Sequence, residues 1–293
     1  MKTRLAPFVL LAALCLVTAV HAAPSQGGPR FLGPKPPEKV KRVVTLVPSL
    51  TETVIALGAG STLVGVSTYD EAKEAAGLPR VGGFVNPSIE RVVGLEPDLV
   101  LVQPGPGNQR AVETMARVGV PILLLPLHTV ADTLEAMRAV GKALGKQKEA
   151  EALVQGIEST RARIRERAKG SQAPRVLFVY GFEPLVVAGP GSFADELLRD
   201  AGAINVASEA GSAYAVYSLE RAVGSRPEVV VDAADVDVGK DKVAALPSLS
   251  RARWVELPSM ALLQPGPSLG RGLEELFALL HPAAKKPDAG TPR

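Results

Sequence analysis

Short apolar runs alternate with longer amphipathic stretches along most of the chain. RVVTLV (42–47), LVGVS (63–67), DLVLV (98–102) and PILLLPL (121–127) are β-branched or leucine-rich, and each predicts a buried strand. Between them, PSLTETVIALGAG (48–60), NPSIERVVGL (86–95) and QRAVETMARVG (109–119) have helical patterns. The first of these helices is expected to open at Ser49 or Thr51 and to stop at Gly58. Such alternation predicts an α/β fold in which helices cover mostly parallel sheets.

The same programme then restarts. RVLFVYG (175–181) reads as a strand, GSFADELLRDAGA (191–203) as a helix closed by Gly202, and EVVVDA (228–233) as another strand. The phrase SIERVVGLEPDLVLV (88–102) returns as SLERAVGSRPEVVVD (218–232). Aligned halves pair Arg42 with Arg175, Ser49 with Ser192, Gly58 with Gly202 and Glu90 with Glu220, at offsets of 130 to 144 residues. That spacing is the size of a domain half rather than of a solenoid repeat, so it predicts two pseudo-symmetric α/β lobes. TVADTLEAMRAVGKALG (129–145) and the longer KQKEAEALVQGIESTRARIRERAKG (146–170) lie at the junction. The second carries Leu153, Ile157, Ile164 and Ala168 on one stripe and would span roughly 35 Å, the width of a lobe, so it reads as a strut.

The two ends of the chain change the picture. Residues 1–22 join Lys2 and Arg4 to an apolar run and small residues, the pattern of a secretory signal peptide cut before Ala23. Cys15 lies inside that run behind Leu14, a poor setting for lipidation, and the remainder of the chain carries no thiol. Export without disulfides points to a periplasm. Residues 23–40 are rich in proline and glycine and are expected to form a flexible leader; 284–293 are expected to be a frayed tail. Residues 41–145, 146–170 and 171–283 then divide into first lobe, connecting helix and second lobe. Without Lys2 and Arg4 the chain has 31 basic and 30 acidic residues, which leaves no nucleic-acid footprint.

Catalytic chemistry finds few parts. There is no G-x-S-x-G elbow and no Walker lysine loop, so no catalytic residue is assigned. GAGSTLVG (58–65) follows a helix and reads as its stop, and QPGPGN (103–108) reads as a rigid loop because its prolines remove N–H donors. His128 and His281 are expected to be structural, at a strand end and near a helix end, and no metal site is assigned. Aromatic residues are scarce, and several fall in or beside predicted loops: Tyr69, Phe84, Tyr180, Phe182, Tyr214 and Tyr217. Loops at the carboxyl ends of parallel strands line ligand crevices, so these six are the candidate ligand-binding residues. Phe178, Phe193, Trp254 and Phe277 lie within regular elements and read as core.

Residues 42–102, with GPGSFADELLRDAGAINVAS (189–208), YSLERAVGSRPEVVVDA (217–233) and PGPSLGRGLEELFALLHP (265–282), resemble the periplasmic binding proteins for vitamin B12, haem and iron siderophores. The resemblance runs from about Val40 to Pro282, and it is nearest to the cobalamin-binding members. It implies a class III periplasmic binding fold: two α/β lobes joined by one long helix, with ligand held between them. The implied ligand is a corrinoid, with haem or a ferric siderophore as alternatives, and no cofactor or enzymatic activity is implied. Tyr69 matches a tyrosine that contacts the corrin in cobalamin binders, and Phe84 lies where they often carry a larger aromatic. Haem relatives commonly place an iron-ligating tyrosine at the position of Phe84, and siderophore binders place arginines in the cleft. Tyr214 and Tyr217 stand where a tryptophan is found in cobalamin binders. The resemblance also implies a monomer that docks on the permease dimer of an ABC transporter in the inner membrane. Glu90 and Glu220, one per lobe, match the glutamates that meet permease arginines. By themselves both are also good first-turn residues, favoured by the helix dipole.

Overall fold

The computed structural model describes residues 27–282. The signal-peptide reading, Cys15 and the tail 284–293 lie outside the described residues. Two sheets organise the chain. The first holds β1 (Arg30–Leu32), β2 (Val43–Thr45), β3 (Leu63–Gly65), β4 (Leu99–Val102) and β5 (Ile122–Leu124), in the order β1-β5-β4-β2-β3. All neighbours pair in parallel except β1, which runs antiparallel along β5. Helices α1 (Pro48–Ala56), α2 (Ile89–Gly94) and α3 (Gln109–Arg117) connect these strands, and α4 (Val130–Ala143) follows β5. The four residues of β4 are all buried, as an uninterrupted apolar run requires when both faces are covered.

After α5 (Gln147–Ala168) the second sheet begins. It contains β6 (Arg175–Phe182), β7 (Leu185–Ala188), β8 (Ile204–Asn205), β9 (Tyr214–Val216), β10 (Val229–Asp232) and β11 (Arg253–Glu256). Its order is β11-β10-β6-β7-β9, with β8 beside β6. Helices α6 (Phe193–Asp200), α7 (Leu219–Gly224), α8 (Lys240–Ala244) and α9 (Leu269–Leu280) complete this half. The fold is thus α/β with mostly parallel sheets. The second sheet departs from a plain restart in one place: β6, β7 and β9 form an antiparallel meander.

The repeated phrase folds identically in both lobes. Ser88 and Ser218 are the N-caps of α2 and α7, accepting from the N–H groups of Arg91 and Arg221. At the other end, Glu96 and Arg226 adopt positive φ of 43° and 45°. Arg42 donates to the carbonyls of Leu95 and Glu96, while Arg175 donates to those of Ser225 and Arg226. Each arginine leads into the first core strand of its sheet and closes the last turn of a helix. Ser192 caps α6 through the Asp195 N–H. Its partner Ser49 does not cap α1, and neither does Thr51: Val47 is the N-cap, without a side-chain bond, and Pro48 occupies the first turn. Thr51 is instead buried, bonded to Thr45 and Asp70.

Helix α5 is 22 residues, about 33 Å at 1.5 Å per residue. Near its start Ala150 packs with the first sheet's core (Val43, Leu99, Leu123), and further on Ile157 and Ile164 pack with the second (Val176, Phe178, Val231). Helix α4 is shared in the same way: Ala136 and Val140 face the first core, Val130, Leu134 and Met137 the second. Arg161 and Arg165 of α5 hold the buried Asp200 of α6 at 2.5 and 2.6 Å.

The leader differs from its sequence reading. Residues 30–32, expected to be flexible, form β1, with Arg30 opposite Leu124, Phe31 opposite Leu123 and Leu32 opposite Ile122. Three residues are too few to show an alternating pattern, but they suffice to occupy an open sheet edge. Gly33 turns the chain at φ +80°, where an added Cβ would lie 2.6 Å from the Val120 carbonyl oxygen.

Candidate functional site

The loops that leave β4 and β5 open onto a cavity of about 1040 Å³ that also meets the second lobe at Tyr214. This is the position expected of a crevice beyond the carboxyl ends of parallel strands. Its floor is the turn Gln103–Asn108. Asn108 is buried there, donating to the Gln103 carbonyl (2.9 Å) and accepting from the Gly105 N–H (3.0 Å), so the proline-rich turn is fixed from beneath. Phe84 lies over Gly105: a Cβ at that glycine would stand 2.6 Å from the ring. Val112, Gln109 and Glu113 of α3 form one flank, and Pro126, Leu127 and His128 another.

On the facing lobe, Tyr214 is 57% exposed. Its ring centroid is 5.3 Å from Tyr180, which in turn is 5.1 Å from the fully buried Phe178. A row of three tilted rings therefore runs from the second core to the cavity, within the distance range of favourable aromatic pairs. Burial pushes the phenols of Tyr180 and Tyr214 up, so both stay neutral at physiological pH. Tyr69 is 70% exposed beside this region, its ring against Gly83, where a Cβ would be 2.6 Å away. The next residue anchors its loop: Asp70 is buried and accepts from the Thr51 hydroxyl (3.0 Å) and the Ser67 N–H (3.1 Å). The other oxygen of Asp70 has no hydrogen-bond partner among the described residues, and burial raises its carboxyl above the usual range.

Of the six aromatic candidates only Phe84 and Tyr214 line the cavity; Tyr180 backs Tyr214, Tyr69 stands outside the lining, and two belong to the interior. Phe182 is 4% exposed and packs against Trp254 in the second lobe's interior. Tyr217 is 6% exposed, with its hydroxyl donating to the Val206 carbonyl and Arg221 over its ring. Both end or follow strands, but the antiparallel meander directs them into the core; their sequence positions alone did not distinguish them from Tyr180 and Tyr214. The opposite error concerns His128, which is exposed on the cavity wall rather than structural. His281 is structural as expected, its Nε2 2.8 Å from the Ala201 carbonyl and its ring against Phe277. The QPGPGN loop is braced by Asn108 and forms part of the cavity lining, a role its sequence does not mark. Proline in place of N–H donors excludes an anion nest but suits a flat apolar face.

Glu90 and Glu220 stand exposed in the first turns of α2 and α7, away from the cavity lining. Glu220 is held below its ordinary range by its own backbone N–H and by Ser218. Among the described residues no group of three or more His, Cys, Asp or Glu is placed to hold a metal ion, and no helix is long and apolar enough to cross a membrane. Such a cavity, with aromatic faces, rigid prolines and a few amides, can hold a large flat molecule; it gathers no nucleophile with a base.

Comparisons with known proteins fit this geometry. Residues 43–253 match the family model described as periplasmic binding protein. The vitamin B12-binding protein of Pectobacterium carotovorum is 26% identical over 239 residues, covering 80% of this chain and 79% of that one. An uncharacterized ABC transporter substrate-binding lipoprotein of Bacillus subtilis is 27% identical over 254 residues, covering 83% and 80%. Among solved structures, a periplasmic haem-binding protein from Pseudomonas aeruginosa aligns with a TM-score of 0.71 and 31% identity, over 84% of this chain and 94% of that one.

Proposed function

The chain belongs to the periplasmic binding protein family, and on that premise we propose that it captures a corrinoid in the cavity between its lobes and delivers it to an ABC importer. The observation that carries this reading is that Phe84 of the first lobe and Tyr214 of the second both line one cavity of about 1040 Å³. That volume lies at the upper end of the ~300–1000 Å³ of ordinary small-molecule sites, so the ligand it suits is larger than a sugar or amino acid. Aromatic side chains contributed by both lobes suit a flat macrocycle. A vitamin B12-binding relative over 80% of the chain, with others over 65–67%, supports the corrinoid. The protein acts by binding and release, with no bond made or broken, as a monomer on a permease dimer.

Haem is the second reading. The likeness to a haem-binding protein supports it, as does the His128 imidazole on the cavity wall, a side chain of metal-ligating type. Titration of the purified protein with cyanocobalamin, haemin and a ferric siderophore separates the readings. Cyanocobalamin should bind one to one and tightest. Tight haemin binding beside no cobalamin binding would replace the corrinoid with haem.

Glu90 and Glu220 are the proposed contacts with the permease. They are exposed, identically presented by capped helices, and related by the same internal repeat that relates the lobes. Two equivalent carboxylates are suited to a partner with two-fold symmetry.

A further inference from the structure

The segment ahead of the first core strand is part of the cavity. Gly27, Gly28, Arg30 and Leu32 all line it, together with the β4 and β5 loops. The segment is built into the lobe at three points. Strand β1 is in register with β5 over its three residues. Gly28 lies so close to α4 that a Cβ would meet the Glu135 carboxylate at 3.1 Å. Gly33 closes against the Val120 carbonyl. Side chains alternate along a strand, so Arg30 and Leu32 share one side while Phe31, 52% exposed, takes the other. Arg30 is the only lysine or arginine among the described residues that line the cavity, and Glu113 is the only carboxylate. Every other polar liner is an amide, a phenol or the His128 imidazole.

We propose that β1 is a fixed wall of the ligand site and that Arg30 recognises an oxyanion on the rim of the bound macrocycle. This rests on the macrocycle reading above. The oxyanion is either the phosphodiester of a corrinoid's nucleotide arm or a carboxylate of a haem-type ring; both suit a guanidinium fork, which offers two parallel donors. A single cation among aromatic and amide liners separates the two tasks. The ring faces supply apolar contact, and the arginine sets which edge of the ring enters last.

The test uses ligand pairs that differ in the oxyanion: cyanocobalamin against dicyanocobinamide, which lacks the nucleotide phosphate, and haemin against its dimethyl ester. Arg30→Gln keeps β1 paired and removes the charge; Arg30→Lys keeps the charge and loses the fork. Arg30→Gln should weaken the oxyanion-bearing member of whichever pair binds by about tenfold while leaving the member that lacks the oxyanion unchanged, with Arg30→Lys intermediate. The phosphate and carboxylate sources are told apart by which pair shows the difference. Rising ionic strength should also cost the wild type more affinity than Arg30→Gln. Equal affinities of wild type and Arg30→Gln for the oxyanion-bearing ligand would overturn the role of Arg30 and leave the macrocycle reading standing. Failure of the wild type to bind any of the four would overturn both.

Discussion

A single exposed ring shows how local packing decides between core and site. Phe84 is kept over the cavity floor because Gly105 leaves room beneath it, and Tyr214 is kept on the opposite wall because Tyr180 and Phe178 back it. Phe182 has the same chemistry but faces Trp254. Phe84→Ala and Tyr214→Ala should therefore each weaken ligand by about tenfold with thermal stability close to wild type. Phe182→Ala should do the reverse, losing about 3–5 kcal/mol of stability as a buried phenylalanine becomes a void, with affinity in the surviving folded fraction unchanged. Titration and denaturant melts on the same three variants check both halves. The sequence made all six aromatic candidates equal, because each lies in or beside a predicted loop. What sets Phe182 apart is sheet direction: after Gly181 the chain turns back at Glu183 and Pro184, and this hairpin pairs Phe182 with Leu185 and sends its ring inward.

At the level of elements, the repeated phrase was the most legible feature. Serine, glycine and a strand-leading arginine recur because each lobe must start a short helix, stop it and enter a buried strand. The structure uses the serine and the arginine in both copies, whereas the left-handed turn after each helix falls at Glu96 and Arg226 rather than at Gly94 and Gly224. Glu90 and Glu220 are not needed for that task, since the caps are the serines. Glu90→Ala with Glu220→Ala should leave ligand affinity unchanged and lower uptake in a reconstituted importer at least tenfold; loss of ligand binding in the double variant would refute the docking role. Least legible was β1, whose three residues follow a glycine- and proline-rich run and take their strand form from the edge of β5. The α1 entry was misread for a related reason: Thr51 has the side chain of a cap, but buried beside Asp70 it serves the Tyr69 loop instead.

The whole molecule is held in one arrangement by contacts that cross between its halves. The Ser268 hydroxyl at the start of α9 donates to Glu52 of α1 (3.1 Å), and the partly buried Glu196 of α6 lies near the start of α4. Burial raises both carboxyls above the usual range. A carboxyl that holds its proton more tightly folded than unfolded stabilises the fold fully below its ordinary pKa and loses that contribution as pH rises through the folded value. Lowering the pH from about 7 to about 5 should therefore raise the melting temperature. Glu149, Glu151 and Glu220, all held low, oppose this only below the ordinary carboxylate range. The double variant Glu52→Gln, Glu196→Gln keeps an acceptor at each place and should flatten the slope, with Asp70 retaining its share. An undiminished slope in thermal melts would show that these two carboxyls do not carry it.

The crossed glutamates carry a consequence for ancestry. The first half owns one giver and one receiver, Glu52 on α1 and the start of α4; the second owns the matching set, Glu196 on α6 and the start of α9. Each half therefore holds out one hand and takes one. Two identical halves facing each other about a two-fold axis would satisfy both contacts at once, which is the condition for a self-complementary dimer. Such a pattern is what two self-complementary halves joined end to end by α5 would show, with the cleft between them made unequal by an arginine strand on one side and a tyrosine stack on the other.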